Sequence, residues 1–268
     1  MKKEVRIFLT AIMFLTRIRV PASTDHSPGY LQQAPRYFPV VGWIVGAISA
    51  LFFLAVSRYV STDAGILASM IAGLFVTGAF HEDGFADVCD AFGGGWTREK
   101  ILEIMKDSRI GAFGAIGLIA ILASKFVLLR ELPAFTPDLG TGHTIFYSYR
   151  YFILGVIVAH SCSRLMPVLV MQTSEYTGIA DRSKSGAMTG QKLSGGALTV
   201  AIALALAPFA FLSWHYLLIL LPALYTTYEL SRYFKRWIGG YTGDCLGAIQ
   251  QVTEIVIYLG FILVWRYF

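Results

Sequence analysis

The chain has 268 residues, of which 56% are hydrophobic and only 15% charged, and its mean hydropathy is +0.60. This excludes an ordinary soluble domain and indicates a polytopic integral membrane protein. The net charge of +5 does not call for nucleic acid, because Lys and Arg at the cytoplasmic ends of spans account for it.

Lys2–Val20 places Phe8, Ile12 and Leu15 at helical spacing among Lys2, Lys3, Arg6, Arg17 and Arg19. It is short for a span and reads as an interfacial or re-entrant helix. Its apolar part, Val5–Leu15, lacks the small-residue cleavage site of a signal peptide. Pro21–Gln33 is polar and turn-rich. Seven spans are then expected at 38–58, 64–81, 111–130, 151–172, 195–213, 214–231 and 248–266, each near the ~20 residues that a bilayer requires. The fifth and sixth follow so closely that they form a helical hairpin. No soluble domain, linker or repeat interrupts the pattern. The expected fold is all-α, a membrane bundle of about seven spans plus the N-terminal helix, with residues 1–268 as one transmembrane catalytic domain.

With the N-terminus inside, sixteen Lys and Arg fall on cytoplasmic segments, against Arg58, Arg130, Arg150 and Arg266 outside. That asymmetry satisfies the positive-inside rule. Lys125 and Arg164 are the conspicuous charges within spans, read either as functional groups or as snorkelling ones. His160 reads as a packing residue. Cys89, Cys162 and Cys245 are widely spaced, odd in number and form no CxxC, which indicates neither a disulfide framework nor a zinc site.

Phe80–Gly114 is the polar island in this pattern, and the orientation above places it in the cytoplasm. If Asp83–Asp90 is helical, Asp87 lies about 40° and Asp90 about 20° from Asp83, so three carboxylates share a face with Glu82 beside it. Like charges this close need a neutralising partner, and Mg²⁺ prefers such oxygen ligands. The metal ligand set is therefore Glu82, Asp83, Asp87, Asp90 and Asp107. Gly93, Gly94 and Gly95 break the helix, and Thr97 caps a second one that returns Lys106, Asp107 and Arg109. The plainer alternative is a solvated acidic loop.

Gln172–Gly196 is a polar stretch suited either to cover a substrate or to serve as an ordinary loop. Gly239–Gly247, with Gly243 and Asp244, brings backbone able to approach phosphate and one more carboxylate. Asp244 reads either as part of the site or as the cap of the last helix. Carboxylates, metal, glycines and bases at a membrane face suit transfer at a pyrophosphate. Lys106, Arg109 and Arg36 would hold phosphate oxygens, and a carboxylate among Asp83, Asp87, Asp107 and Asp244 would take a hydroxyl proton. The CDP-alcohol phosphotransferases share this logic, but their D-x2-D-G-x2-A-R pattern is met only at Asp83-Gly84. A cation-coupled transporter is the rival from another class, and it would place its acids deep within the spans.

Glu82-Asp83-Gly84-Phe85-Ala86-Asp87, with Asp90 and Gly93-Gly94-Gly95, resembles the first signature of the cobalamin synthase family, the adenosylcobinamide-GDP ribazoletransferases. Ile104 to Gly111 resembles the second signature. Gly239-Gly240, Thr242-Gly243-Asp244 and Gly247 resemble the late one, and Tyr37-Phe38-Pro39 with Gly42 the early one. The resemblance runs over nearly the whole chain. It implies a Mg²⁺-dependent enzyme of the bacterial inner membrane, acting late in cobalamin assembly. There α-ribazole, or its 5′-phosphate, displaces GMP from adenosylcobinamide-GDP. Whether the enzyme acts as a homo-oligomer or in a complex with other cobalamin-assembly enzymes is left open by the sequence.

Overall fold

The computed structural model describes residues 3–22, 24, 27–133, 149–178 and 192–268. Residues 179–191, most of the stretch considered as a substrate cover, lie outside them. Among the described residues the regular structure is helical: α1 (Lys3–Leu15), α2 (Phe38–Tyr59), α3 (Thr62–Thr77), α4 (Phe80–Gly94), α5 (Arg98–Ile104), α6 (Ala112–Glu131), α7 (Arg150–Thr173), α8 (Gly195–Leu206), α9 (Leu220–Ile238) and α10 (Gly243–Tyr267). A single turn at Pro28–Leu31 and a 3-10 turn at Ala34–Tyr37 lead into α2.

The expectation of seven spans is met only in part. Among the described residues, four segments are long and apolar enough to cross a membrane: Gly29–Tyr59, Ala112–Glu131, Arg150–Thr173 and Gly243–Tyr267. The predicted span 64–81 stops at Thr77. Gly78 (φ 67°) and Ala79 (φ 55°) are both left-handed there, and α4 departs at 88° to α3, so this bent pair makes at most a fifth. A left-handed alanine costs roughly 1–2 kcal/mol, which the packing of α4 must offset. The expected hairpin is also irregular. α8 is short and ends in a 3-10 segment, Ala207–Phe211, while its partner opens as a 3-10 turn, Trp214–Ile219, before becoming α9.

Contacts at the helix ends fix how these elements run. At one end Arg17 N donates to Val76 O at 2.7 Å, tying the end of α1 to that of α3. There too, Thr177 N donates to Tyr241 O and Tyr241 N to Glu175 O, joining the segment after α7 to the start of α10. At the other end Arg130 pairs with Asp63, Arg266 with Glu131, and Arg150 donates to Phe211 O. α2 packs on α3 and α7, and α10 packs on α4, α7, α6 and α9. The acid-bearing helix α4 thus lies at the first end, against the start of α10.

Candidate active site

The helix expected over Asp83–Asp90 is present as α4, and Thr97 caps α5 by accepting from Lys100 N. On α4, Asp83 is exposed while Asp87 and Asp90 are half-buried. Across from them, Thr242 caps α10, its hydroxyl accepting from Cys245 N at 3.3 Å. Asp244 is therefore not the cap, and its carboxylate stands in the first turn. Gly84 lets the two helices close: a Cβ there would lie 2.9 Å from Asp244 Cα. Asp87 is consequently near enough to feel the charges of Asp244, Asp83 and Asp90, and Asp244 feels that of Asp83.

Among the described residues no group of three or more His, Cys, Asp or Glu side chains is already arranged to hold a metal ion. The donor chemistry nonetheless fits Mg²⁺. These are hard carboxylate oxygens from two helices, crowded so that a cation would relieve their repulsion.

The other expected site residues divide. Asp90 accepts from Gly111 N at 2.7 Å and Gly114 N at 2.8 Å, so it anchors the start of α6 and favours its dipole. A side chain at either glycine would collide with that carboxylate. Asp107, expected in the metal core, is held in a bidentate pair by Arg109, with Nη2 to Oδ2 at 2.6 Å and Nε to Oδ1 at 3.0 Å. These hydrogen bonds lower the Asp107 carboxyl to about 2 and raise the Arg109 guanidinium. Both residues, with exposed Lys106, follow the end of α5 instead of lying on it. Thr242 Oγ1 contacts Met105 Sδ at 3.1 Å, which moors this turn beside Gly243 and Asp244. Arg36 is engaged by Glu4 at 3.4 Å, on the α1 side.

Glu82 turns away from the aspartates into a buried polar network. Its Oε1 lies 3.9 Å from Lys125 Nζ and accepts from Gln251 Nε2 at 3.0 Å. Lys125 also pairs with Glu254 at 3.1 Å and donates to Gln251 Oε1 at 3.2 Å. Glu254 further accepts from Gln250 and Tyr258 and lies 3.7 Å from His160 Nδ1, while Arg164 donates to His160 O. The network links α4, α6, α7 and α10. Lys125 is thus a paired group and not a snorkelling one. Sequence reasoning did not single out Glu254, Gln250 or Gln251. The available signal was Gln-Gln-x-x-Glu inside an apolar helix, since a Lys in another span needs a counter-ion.

Fold and site together define a multi-pass, all-α membrane enzyme whose carboxylates gather at one end of the bundle, above a buried charge network. Comparison with known proteins narrows this. The family model for CobS, cobalamin-5-phosphate synthase, matches residues 7–262, and the chain belongs to that family. It is 38% identical to an adenosylcobinamide-GDP ribazoletransferase of Vibrio cholerae, covering 97% of this chain and 94% of the relative. It is also 38% identical to one from Leptospira interrogans (99% and 98% covered) and 37% identical to one from Shewanella piezotolerans (98% and 97%). No solved structure matches the chain.

Proposed function

We propose that this chain is a Mg²⁺-dependent adenosylcobinamide-GDP ribazoletransferase of the bacterial inner membrane, built as one catalytic domain. The observation that carries the reading is the meeting of Asp83 and Asp87 with Asp244 through the bare backbone of Gly84. The relatives' shared name supplies the substrates. Asp83 and Asp87 hold the metal, and Asp244, on the facing helix, takes the proton from the attacking hydroxyl of α-ribazole or its 5′-phosphate. That oxygen bonds to the phosphorus carried by the cobinamide arm. The bond from this phosphorus to the bridging oxygen breaks, and GMP departs with that oxygen. When bound, Mg²⁺ neutralises the charge that develops on the phosphate oxygens. Lys106 and Arg109 stand exposed beside the acids, where they meet the phosphates of the GDP moiety.

The same end carries Arg98, Lys100, Lys106, Arg109, Lys235 and Arg236, which supports a cytoplasmic site. Seven crossings, α2, α3, α6, α7, α8, α9 and α10, agree with the pairing of helix ends described above.

Purified protein in liposomes, given adenosylcobinamide-GDP, α-ribazole and Mg²⁺, should release GMP and form the joined corrinoid. Faster CMP release from CDP-diacylglycerol and an alcohol would replace this reading with the phospholipid one. Metal-dependent ion flux without nucleotide release would replace it with transport.

A further inference from the structure

Beside the carboxylates lies a second pocket of roughly 480 Å³, including its open mouth, among α1, α2, α4, α7 and α10. Its walls include Phe14, Phe38, Phe80 and Leu246, with Arg164 and buried His81 the polar side chains on its lining, and Gly243 also lines it. The rings of Phe14 and Phe38 are parallel within 4°, and Phe80 meets Phe14 edge-on at 5.3 Å. Planar aromatic walls of this kind favour a planar aromatic guest. Arg164 is 2% exposed and its Nη1 is engaged by His160, yet its Nε–H has no partner among the described residues. A buried guanidinium donor without an acceptor is costly, so an occupant carrying an acceptor is favoured over a purely hydrocarbon one. Gly243 has open space where a side chain would stand, and its neighbour is Asp244. A ring seated here has its attached sugar beside the proposed proton acceptor.

We propose that this pocket receives the base of the attacking nucleoside, and that Arg164 donates to it. The base is a flat, largely apolar bicyclic ring with one in-plane nitrogen acceptor, as in a benzimidazole riboside. The inference rests on the transferase reading above and adds where and how the lower-ligand base is selected. A guanine ring fits poorly, because its several donors and acceptors would be stranded against phenylalanine. An apolar wall rejects an added polar group by about a hundredfold. The GDP end is therefore assigned to the exposed Lys106 and Arg109 side, and the base of the nucleoside to the apolar side.

The test is equilibrium binding of α-ribazole to the full-length protein in nanodiscs, followed by calorimetry, alongside steady-state KM for both substrates. Phe80 is 42% exposed, so Phe80→Ala is a mild change to the fold. Phe80→Ala and Phe14→Leu should each weaken α-ribazole binding about tenfold or more and leave KM for adenosylcobinamide-GDP within about twofold. Guanosine should compete poorly. Arg164→Lys, which keeps the charge but moves the donor, should weaken α-ribazole more than a riboside whose base lacks the ring acceptor. Unchanged α-ribazole affinity in both Phe variants would overturn the proposal, as would equal loss for both substrates. A change only in dependence on lipid chain length would also overturn it, by assigning the pocket to an acyl chain. Wild-type protein that binds α-ribazole here but never releases GMP would leave the pocket standing and defeat the transfer reading instead.

Discussion

Gly84 of α4 rests on the backbone of Asp244 of α10, with room for a hydrogen and not for a methyl group: an added Cβ would lie 2.9 Å from Asp244 Cα and 3.2 Å from its carbonyl oxygen. This contact sets how far the carboxylates of one helix stand from that of the other. It also explains why a glycine follows Asp83 in a helix where glycine is otherwise unfavourable.

Gly84→Ala should therefore force α4 and α10 apart. Overpacking of this kind costs about 1–3 kcal/mol, and a misplacement near 1 Å can cost about a hundredfold in rate. GMP release and thermal melting in detergent, measured together, should give a turnover loss much larger than the loss of stability. Normal turnover would remove the contact from the site's geometry.

Lys125 is the shared counter-ion of Glu82 and Glu254. Lys125→Met leaves both acids buried without it, which should destabilise the protein by about 3–5 kcal/mol. Adding Glu254→Gln should restore part of that, because one of the stranded charges is gone. Melting temperatures of the single and double variants check this; equal melting of wild type and Lys125→Met would mean that the network carries no weight.

These residues mark what could be read from the sequence. The shared face of Asp83, Asp87 and Asp90 followed from helical geometry, and Thr97 was legible as a cap because its signal is local. The inward turn of Glu82, the tie of Asp90 to Gly111 and Gly114, and the pairing of Lys125 with Glu254 were not legible. Each joins positions far apart in the chain, and spacing along one helix says nothing about a partner on another. The break at Gly78-Ala79 was missed because hydropathy runs through it unchanged. Asp244 was one position of several able to cap α10, and the register of that helix chose Thr242.

Asp90 binds protein, not only charge. Asp90→Ala strands the amide of buried Gly114, at about 1–3 kcal/mol for an unmet buried group, while the amide of exposed Gly111 can turn to water. Asp90→Asn keeps one acceptor oxygen, for one of the two amides, and should recover only part of the stability. The apparent affinity for Mg²⁺ in Asp90→Asn should stay near that of wild type. A large rise in the Mg²⁺ requirement would promote Asp90 to metal ligand.

Arg109 holds the Asp107 carboxyl at about 2, so Asp107 is ionised throughout any ordinary assay. For a depressed carboxyl, whatever the pair contributes is present above the unfolded value and fades only as pH falls through about 2. Arg109→Gln should return Asp107 towards 3.8, which leaves it ionised from about pH 6 to 8. The shape of the pH profile there should not change. KM for adenosylcobinamide-GDP should rise about tenfold, and KM for α-ribazole should not. An effect confined to α-ribazole would move Arg109 to the other substrate.

The central claim is that carboxylates from α4 and α10 act as one metal-dependent site. It is tested most directly by GMP release from adenosylcobinamide-GDP and α-ribazole across a Mg²⁺ titration, for wild type, Asp83→Asn and Asp244→Asn in the same membranes. Each substitution keeps size and removes charge, and Thr242 still caps α10 in both variants. Turnover should fall about a hundredfold or more in both while the proteins stay folded, and only Asp83→Asn should raise the Mg²⁺ requirement of the remaining activity. Near-normal turnover of either variant at limiting Mg²⁺ would contradict the account.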